Sequence, residues 1–430
     1  MRRYLTLGLV IAVACAGVPR WARADIVTDW FGKADALGDG NPNWHSLAVM
    51  HMAVHDAVNA ARPTYARWFP AAPGEPPGAG AMPEAAVAAA AAGVLVELHP
   101  DRQDDVNALY EAEIAAMPPG AARDAGVALG RAVAASTLAH RRDDGFNVVH
   151  RFRGSDVDGR WRPVPPNNAT SGTTETRPFL FDSTGSFAGT EPPEPGSPRY
   201  LADVAEVRRV GAVDPPDRLD GQSDAALFWA YQSGQRGMMI YLAERLAAQP
   251  LPGGLPEHAR RMSQMATAMA DAAIITWAEK EQFSYWRPIT AIRSGTFGVV
   301  ADPDWTPFVE TPPHPEYPSG HSSDCFTGAG FLRAVFGSDG GRFVYVAQSA
   351  LPNEDTHAEA SRVTDPNAPP QPVGLRPIAR EFPSAEAAAQ ECANSRIWAG
   401  VHFRSANEQS HRIADAIVAR AVAAVPPLGR

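Results

Sequence analysis

Residues 311–321 read Thr-Pro-Pro-His-Pro-Glu-Tyr-Pro-Ser-Gly-His, with four prolines and two histidines in eleven positions. Proline fixes φ and removes a backbone donor, so the run is a stiff, non-helical approach. Residues 322–335 read as a helix, with Phe326, Phe331 and Leu332 at core spacing. Ser319-Gly320-His321 therefore stands where a rigid loop enters a helix. The first N–H groups of a helix lack intrahelical acceptors, and the helix dipole favours an anion there. Gly320 allows close backbone approach, Ser319 adds a hydroxyl, and His321 adds a group that titrates near neutrality.

Two further segments carry complementary chemistry. Lys280 and Arg287 lie seven apart in Lys-Glu-Gln-Phe-Ser-Tyr-Trp-Arg-Pro. On a continuous helix that spacing is two turns and puts both cations on one face, where they repel unless an anion sits between them. Arg396 and His402 lie six apart in Ser-Arg-Ile-Trp-Ala-Gly-Val-His. On a straight helix they would point about 120° apart, so convergence requires a bend or a helix end, and Gly400 is the place for it. The three segments supply three cations, a hydroxyl, a backbone amide and the histidines His321 and His402, with Glu281 the acid set against them. That inventory suits a tetrahedral oxyanion, which forked arginine donors match well.

Helical periodicity and breakers outline the scaffold. Helices are predicted over residues 43–61, 84–98, 102–116, 121–142, 224–249, 256–286, 384–401 and 406–425. Residues 117–120, Met-Pro-Pro-Gly, separate two of them. Residues 63–83 and 365–383 are Pro-rich loops. Residues 152–198 form a long irregular connection in which Trp161, Phe179, Phe181 and Phe187 are candidate anchors. The stripe Met262, Met265, Met269 and Ala273 reads as core. His51 and His55 sit four apart on a helix; without a third ligand, packing is the plainer reading. No alternating pattern of useful strand length stands out, so the expected class is all-α with long Pro-rich connections.

The chain has 430 residues, 45% apolar and 20% charged, with a net charge of −10. That describes a globular protein without the basic face that nucleic-acid binding needs. Arg2-Arg3, an apolar run over 5–18 and Ala22-Arg23-Ala24 form a signal-peptide pattern over residues 1–24, too short for a membrane span. The expectation is an exported protein, periplasmic or secreted, whose mature part (25–430) is one helical unit with its motifs in 256–425. No later segment reads as a span, and a homo-oligomer is left open. Beyond Cys15, only Cys325 and Cys392 remain. Export and their positions, each four residues from His321 or Arg396, predict a disulfide. They cannot complete a zinc shell.

Lys280-x6-Arg287-Pro288, Pro318-Ser319-Gly320-His321 and Ser395-Arg396-x5-His402 together resemble the three-part signature of the vanadium haloperoxidase and type 2 phosphatidic acid phosphatase superfamily. The leader and helical pattern are similar to its soluble bacterial haloperoxidase-like branch. The resemblance implies an all-α fold of two four-helix bundles. It implies vanadate bound by Lys280, Arg287, Ser319, Gly320 and Arg396, with His402 bonded to the vanadium and His321 as acid-base group. Trp277 resembles a tryptophan lining the vanadate pocket. His314 stands where bromoperoxidases carry histidine and chloroperoxidases phenylalanine, which implies that bromide and iodide are favoured. The implied activity is oxidation of halide by hydrogen peroxide. Two alternatives stand beside it: an acid phosphatase that attacks a phosphomonoester through His402 in the same pocket, and a non-catalytic oxyanion-binding protein. The family's Asp four residues after the last histidine is replaced by Ala406, followed by Asn407 and Glu408, which leaves the support of His402 to be found elsewhere.

Overall fold

Among the described residues the chain is mostly helical, with thirteen α-helices and four short strands. The structure is a computed structural model and describes residues 25–38, 44–148, 150–164, 170–171, 174–187, 189–230, 235–248, 251–337, 341–349 and 376–429. The leader, residues 1–24, and residues 365–375 of the Pro-rich loop lie outside them.

The first group of helices is built on small residues. It comprises α1 (Ile26–Leu37), α2 (Trp44–Ala61), α3 (Pro83–Leu98), α4 (Gln103–Ala116) and α5 (Ala121–Arg141). Ala85 to Ala92 of α3 are all buried. A Cβ added at Gly130 of α5 would stand 2.3 Å from the Ala86 carbonyl oxygen and 2.8 Å from the Ala89 Cβ. Only glycine permits that helix–helix approach. After the irregular stretch, in which Trp161 and Phe181 are indeed buried anchors, come α6 (Pro198–Val210), α7 (Asp220–Phe228) and α8 (Gln235–Ala248). The helix expected over 224–249 is thus two helices.

The spine is α9 (Leu255–Phe283), which is buried on nearly every face over its first 22 residues. A helix apolar or buried all round must lie between layers. It packs on α2 on one side, and on α11 (Gly320–Phe336) and α13 (Arg404–Ala423) on the other; the short α10 (Pro288–Ser294) follows it in the chain. With α12 (Ala385–Trp398), helices α9, α11 and α13 form the second group.

Three expectations are corrected. Strands do occur: β1 (His150–Arg151) pairs with β2 (Thr170–Ser171), and β3 (Phe343–Ser349) with β4 (Arg376–Phe382), both antiparallel. In β3, Phe343 and Tyr345 are buried while Val344 is 52% exposed. An apolar residue on the outer face hid the alternation, and the partner strand begins beyond a long insert. Second, Cys325 and Cys392 are buried and form no disulfide; the Cys392 Sγ instead donates to the His321 carbonyl at 3.6 Å. Third, α1, α6 and α10 had not been expected as helices. His51 and His55 are packing residues: burial pushes their pKa values down to about 3 and about 4, and the His55 Nε2 meets the Ala66 carbonyl at 2.9 Å. Among the described residues no cluster of three or more His, Cys, Asp or Glu could hold a metal. No described helix is long and apolar enough to cross a membrane.

Candidate functional site

Lys280 lies in the last turn of α9. That helix stops at Phe283 because Ser284 turns left-handed, φ 43°, and returns its N–H to the Lys280 carbonyl at 2.9 Å. Arg287 is therefore not two turns further on the same helix, as the spacing predicts. It is the extended residue that caps α10, ahead of Pro288. Both still point into one interior space, brought there by a chain reversal.

The Lys280 ammonium donates to the carbonyls of Pro315 and Glu316, each at 2.9 Å, and to that of Pro318. The proline run makes this arrangement available, since its carbonyls have no helix or sheet partners. Ser319 caps α11, and Gly320 is its first residue. A Cβ at Gly320 would meet nothing within 4 Å, so open space adjoins the helix start. Ser319 is fixed from behind: its N–H donates to Ser410 Oγ at 3.0 Å, and its Oγ hydrogen-bonds with Ser322 Oγ at 2.9 Å.

The third segment turns as its glycine predicts. Gly400 adopts φ 78° after the end of α12, and the N–H groups of Val401 and His402 both reach back to the Arg396 carbonyl, at 3.1 and 3.2 Å. The turn swings His402 round beside Arg287. The Arg287 Nη1 donates to the Val401 carbonyl at 2.7 Å and to His402 Nε2 at 3.1 Å; its Nε donates to the His314 carbonyl at 2.9 Å, and its Nη2 to His314 Nδ1 at 3.1 Å. Arg396 donates through Nη1 to the Trp229 carbonyl at 3.2 Å. Trp277 stands at the rim, edge-on to the His314 ring at 4.6 Å and stacked with Phe152 at 5.6 Å.

The electrostatics are those of a cation cluster taken out of water. Lys280, Arg287, Ser319, Arg396 and His402 are all at most 2% exposed. Burial, then Arg287, hold the Lys280 ammonium well below its usual range; burial also lowers Arg287 to about 9 and Arg396 to about 10. His321, His314 and His402 are pushed well below the ordinary histidine range, first by burial and then by the neighbouring cations. Among the site residues three polar atoms remain without a partner, Arg396 Nε, His321 Nε2 and Glu316 Oε2. Buried polar atoms are rarely left so. A site with three cations, spare nitrogen atoms and a helix N-terminus fits a compact oxyanion.

One residue was missed in the sequence. Glu316 is fully buried, and its Oε1 accepts from His402 Nδ1 at 2.9 Å and from the Phe403 N–H at 2.8 Å. Its signal was a lone acid in the proline run, close to two candidate site residues. The substitutes nearest in sequence to Ala406 are engaged elsewhere. Asn407 bonds Ser322 Oγ at 2.8 Å and the Ala393 carbonyl, and Glu408 pairs with Arg199 at 2.7 Å. Glu281, the acid set against Lys280, bonds His150 at 2.8 Å instead.

Residues 260–427 match the family described as the VCPO second helical-bundle domain. That span contains all three motif segments, from Lys280 to His402. The chain is 27% identical over 303 residues to the vanadium chloroperoxidase of Curvularia inaequalis, a match covering 56% of this chain and about half, 48%, of that protein. Among solved structures it is similar to a bacterial vanadium-dependent iodoperoxidase, with TM-score 0.71 and 24% identity over 94% of this chain and 97% of that one. It is also similar to a holo-type bacterial vanadium-dependent chloroperoxidase, with TM-score 0.64 and 18% identity over 90% and 91%. These likenesses show a shared helical-bundle fold.

Proposed function

We propose that the chain is an exported, vanadate-dependent haloperoxidase that oxidises halide with hydrogen peroxide and favours bromide and iodide over chloride. The observation that carries this reading is the geometry of His402. Arginine only donates, so the nitrogen facing Arg287 is the one with the lone pair, Nε2. A neutral imidazole thus aims its lone pair into a dry pocket of three buried cations. Lys280, Arg287, Arg396 and the Ser319–Gly320 helix start would hold the oxygens of a vanadate, and His402 Nε2 its central atom. The bound vanadate would supply a Lewis acid that makes peroxide electrophilic toward halide.

The protein groups have separable tasks. The cations neutralise the anion and sharpen its electrophilicity, an effect enlarged by the exclusion of water. His321 is half-buried as a residue, and its buried Nε2 lacks a partner and is placed to hold or pass a proton. His314 Nδ1 faces one Arg287 donor, the Nη2, and the Pro315 carbonyl, each at 3.1 Å. That donor is then shared with a neutral imidazole, so less of its field reaches the oxyanion. Chloride, the harder halide to oxidise, should suffer most. The names of the relatives, chloroperoxidase and iodoperoxidase, support the reaction class. The leader pattern over residues 1–24 supports a periplasmic or secreted site of action.

A lone pair aimed from His402 also suits attack on the phosphorus of a phosphomonoester, so the test must separate the two chemistries. Purified protein is loaded with vanadate and assayed for bromination of a phenolic dye with peroxide and bromide. Vanadate-dependent bromination is expected, with chloride turnover well below bromide. His402→Ala should abolish vanadate binding, whereas His321→Ala should keep vanadate and lose turnover. Absence of bromination, together with phosphomonoester hydrolysis by vanadate-free protein, would replace this reading by the phosphatase one.

A further inference from the structure

We propose that Glu316 is the positioning residue of the oxyanion site, and does for His402 what the superfamily pattern assigns to an acid at position 406. The inference rests on the oxyanion reading of the pocket.

The argument starts from a single oxygen. Glu316 Oε1 lies 2.9 Å from His402 Nδ1 and 2.8 Å from the Phe403 nitrogen. A backbone N–H can only donate, so Oε1 is an acceptor for Phe403. Arg287 Nη1 donates to Nε2 from the other side of the ring, at 3.1 Å, so the ring proton sits on Nδ1 and Oε1 accepts it as well. The difference appears when an oxyanion enters. The Arg287 guanidinium is then drawn to the anion and its bond to Nε2 is given up. Glu316 alone is left to hold the ring, and it does so from behind, out of the anion's way.

The placement of Glu316 also joins the three segments. Its backbone carbonyl receives the Lys280 ammonium at 2.9 Å, and its N–H donates to the Tyr285 carbonyl at 2.9 Å. Three residues along the chain, Ser319 caps the helix that starts the anion cradle. One buried residue thus fixes the lysine segment through its backbone, the cradle through chain continuity, and the histidine segment through its side chain. Ala406 is fully buried and has no polar side-chain atom, so a second acid is not needed where Glu316 already fills the post.

Glu316→Met removes the acceptor at similar length, Glu316→Gln keeps an acceptor oxygen without charge, and Glu316→Asp shortens the reach by one methylene. Each is compared with wild type for fold by circular dichroism, for affinity toward inorganic phosphate and vanadate by calorimetry, and for the His402 Nδ1–H signal by ¹⁵N-resolved NMR of the ligand-free protein. Loss of such outer supports typically costs about 10- to 100-fold in affinity. Glu316→Met and Glu316→Asp should fall in that range and lose the slowly exchanging Nδ1–H signal, while Glu316→Gln should stay within a few-fold of wild type and keep it. Wild-type affinity in the methionine variant, or in the aspartate variant should methionine not fold, overturns the proposal. If wild type binds neither phosphate nor vanadate, the oxyanion reading fails. The Nδ1–H signal of the ligand-free variants then decides the role of Glu316 separately: a signal unchanged in methionine and aspartate variants overturns it.

Discussion

Gly400→Ala should destabilise the protein by more than a left-handed backbone alone explains, and should weaken oxyanion binding as well. Gly400 has φ 78°. Holding an alanine there costs about 1–2 kcal/mol, of which about 0.4–1 kcal/mol returns because the unfolded chain loses freedom. A site with that cost alone exists in the same protein: Gly80 has φ 83°, and a Cβ there would meet nothing within 4 Å. Gly80→Ala should therefore cost about 1 kcal/mol or less. At Gly400 the added Cβ would stand 2.2 Å from the Gly211 carbonyl oxygen, 2.9 Å from the Pro307 Cβ and 3.0 Å from the Pro307 Cα. None of these is the tip of a flexible side chain. The Gly211 oxygen is itself held by the Phe308 N–H at 2.9 Å. Overpacking of this kind adds typically about 1–3 kcal/mol, so Gly400→Ala should cost about 2–4 kcal/mol.

The relief of that overlap decides the second effect. With Gly211 and Pro307 fixed, the easiest motion carries the turn from Arg396 to His402 outward. That motion stretches the 2.7 Å bond from Arg287 to the Val401 carbonyl and moves Nε2 of His402. Urea unfolding of wild type, Gly80→Ala and Gly400→Ala gives the stability difference, and calorimetry with inorganic phosphate and vanadate gives the affinity. Equal stability loss in the two variants, with unchanged affinity at Gly400→Ala, would refute the view that this turn is rigid and sets the site.

Two other expectations concern the scaffold. Thiol titration without reductant should find Cys325 and Cys392 unreactive in the folded mature protein and both reactive after unfolding; two blocked thiols would mean a bridge that the structure does not contain. Asp271 is fully buried, and burial pushes its pKa up to about 7 against the two bonds it accepts from the Phe179 and Leu180 N–H groups. A folded pKa above the unfolded one means stability that is full below about pH 4 and is lost as pH rises through about 7. Between pH 5 and pH 8 wild type should therefore lose about 2–3 kcal/mol that Asp271→Asn does not lose, measured as the change with pH in their urea-unfolding difference.

The parts of the site that were legible in the sequence are those set by local chemistry. Proline runs, Gly400 and the Ser319–Gly320 helix entry announce stiff loops and turns, because their backbone preferences act over one or two residues. Lys280, Arg287 and Arg396 stand out as three cations set against the single acid Glu281, and His402 as a histidine at a fixed spacing from one of them. The illegible parts depend on distant neighbours. The end of α9 at Ser284 is not forced by Ser284 or Tyr285, and only the Pro288 that follows hints at it. The pairing of β3 with β4 joins strands separated by a long insert, and Val344 masks the alternation. Glu316 reads as one more polar residue in a loop until the fold brings Phe403 and His402 to its Oε1. The cysteines mislead for the same reason, since proximity to two converging residues does not orient two sulfur atoms toward each other.

The hydrogen bonds of the three cations differ in a way that bears on how the pocket works. Lys280 has all its protons committed to carbonyls of the proline loop, so removing it should disturb the cradle before it disturbs the anion's charge. Arg287 is committed to carbonyls through Nε and Nη1 but also leans on two neutral imidazoles, His314 and His402. Those are neutral partners, and the first it should exchange for an oxyanion, whose negative charge attracts the guanidinium more strongly. Arg396 keeps Nε free of any partner. The pocket thus grades its cations from structural to available, in the order Lys280, Arg287, Arg396. The largest loss of oxyanion affinity for the least loss of fold stability should then come from Arg396. That follows from which donors are already spoken for, since all three cations are equally buried.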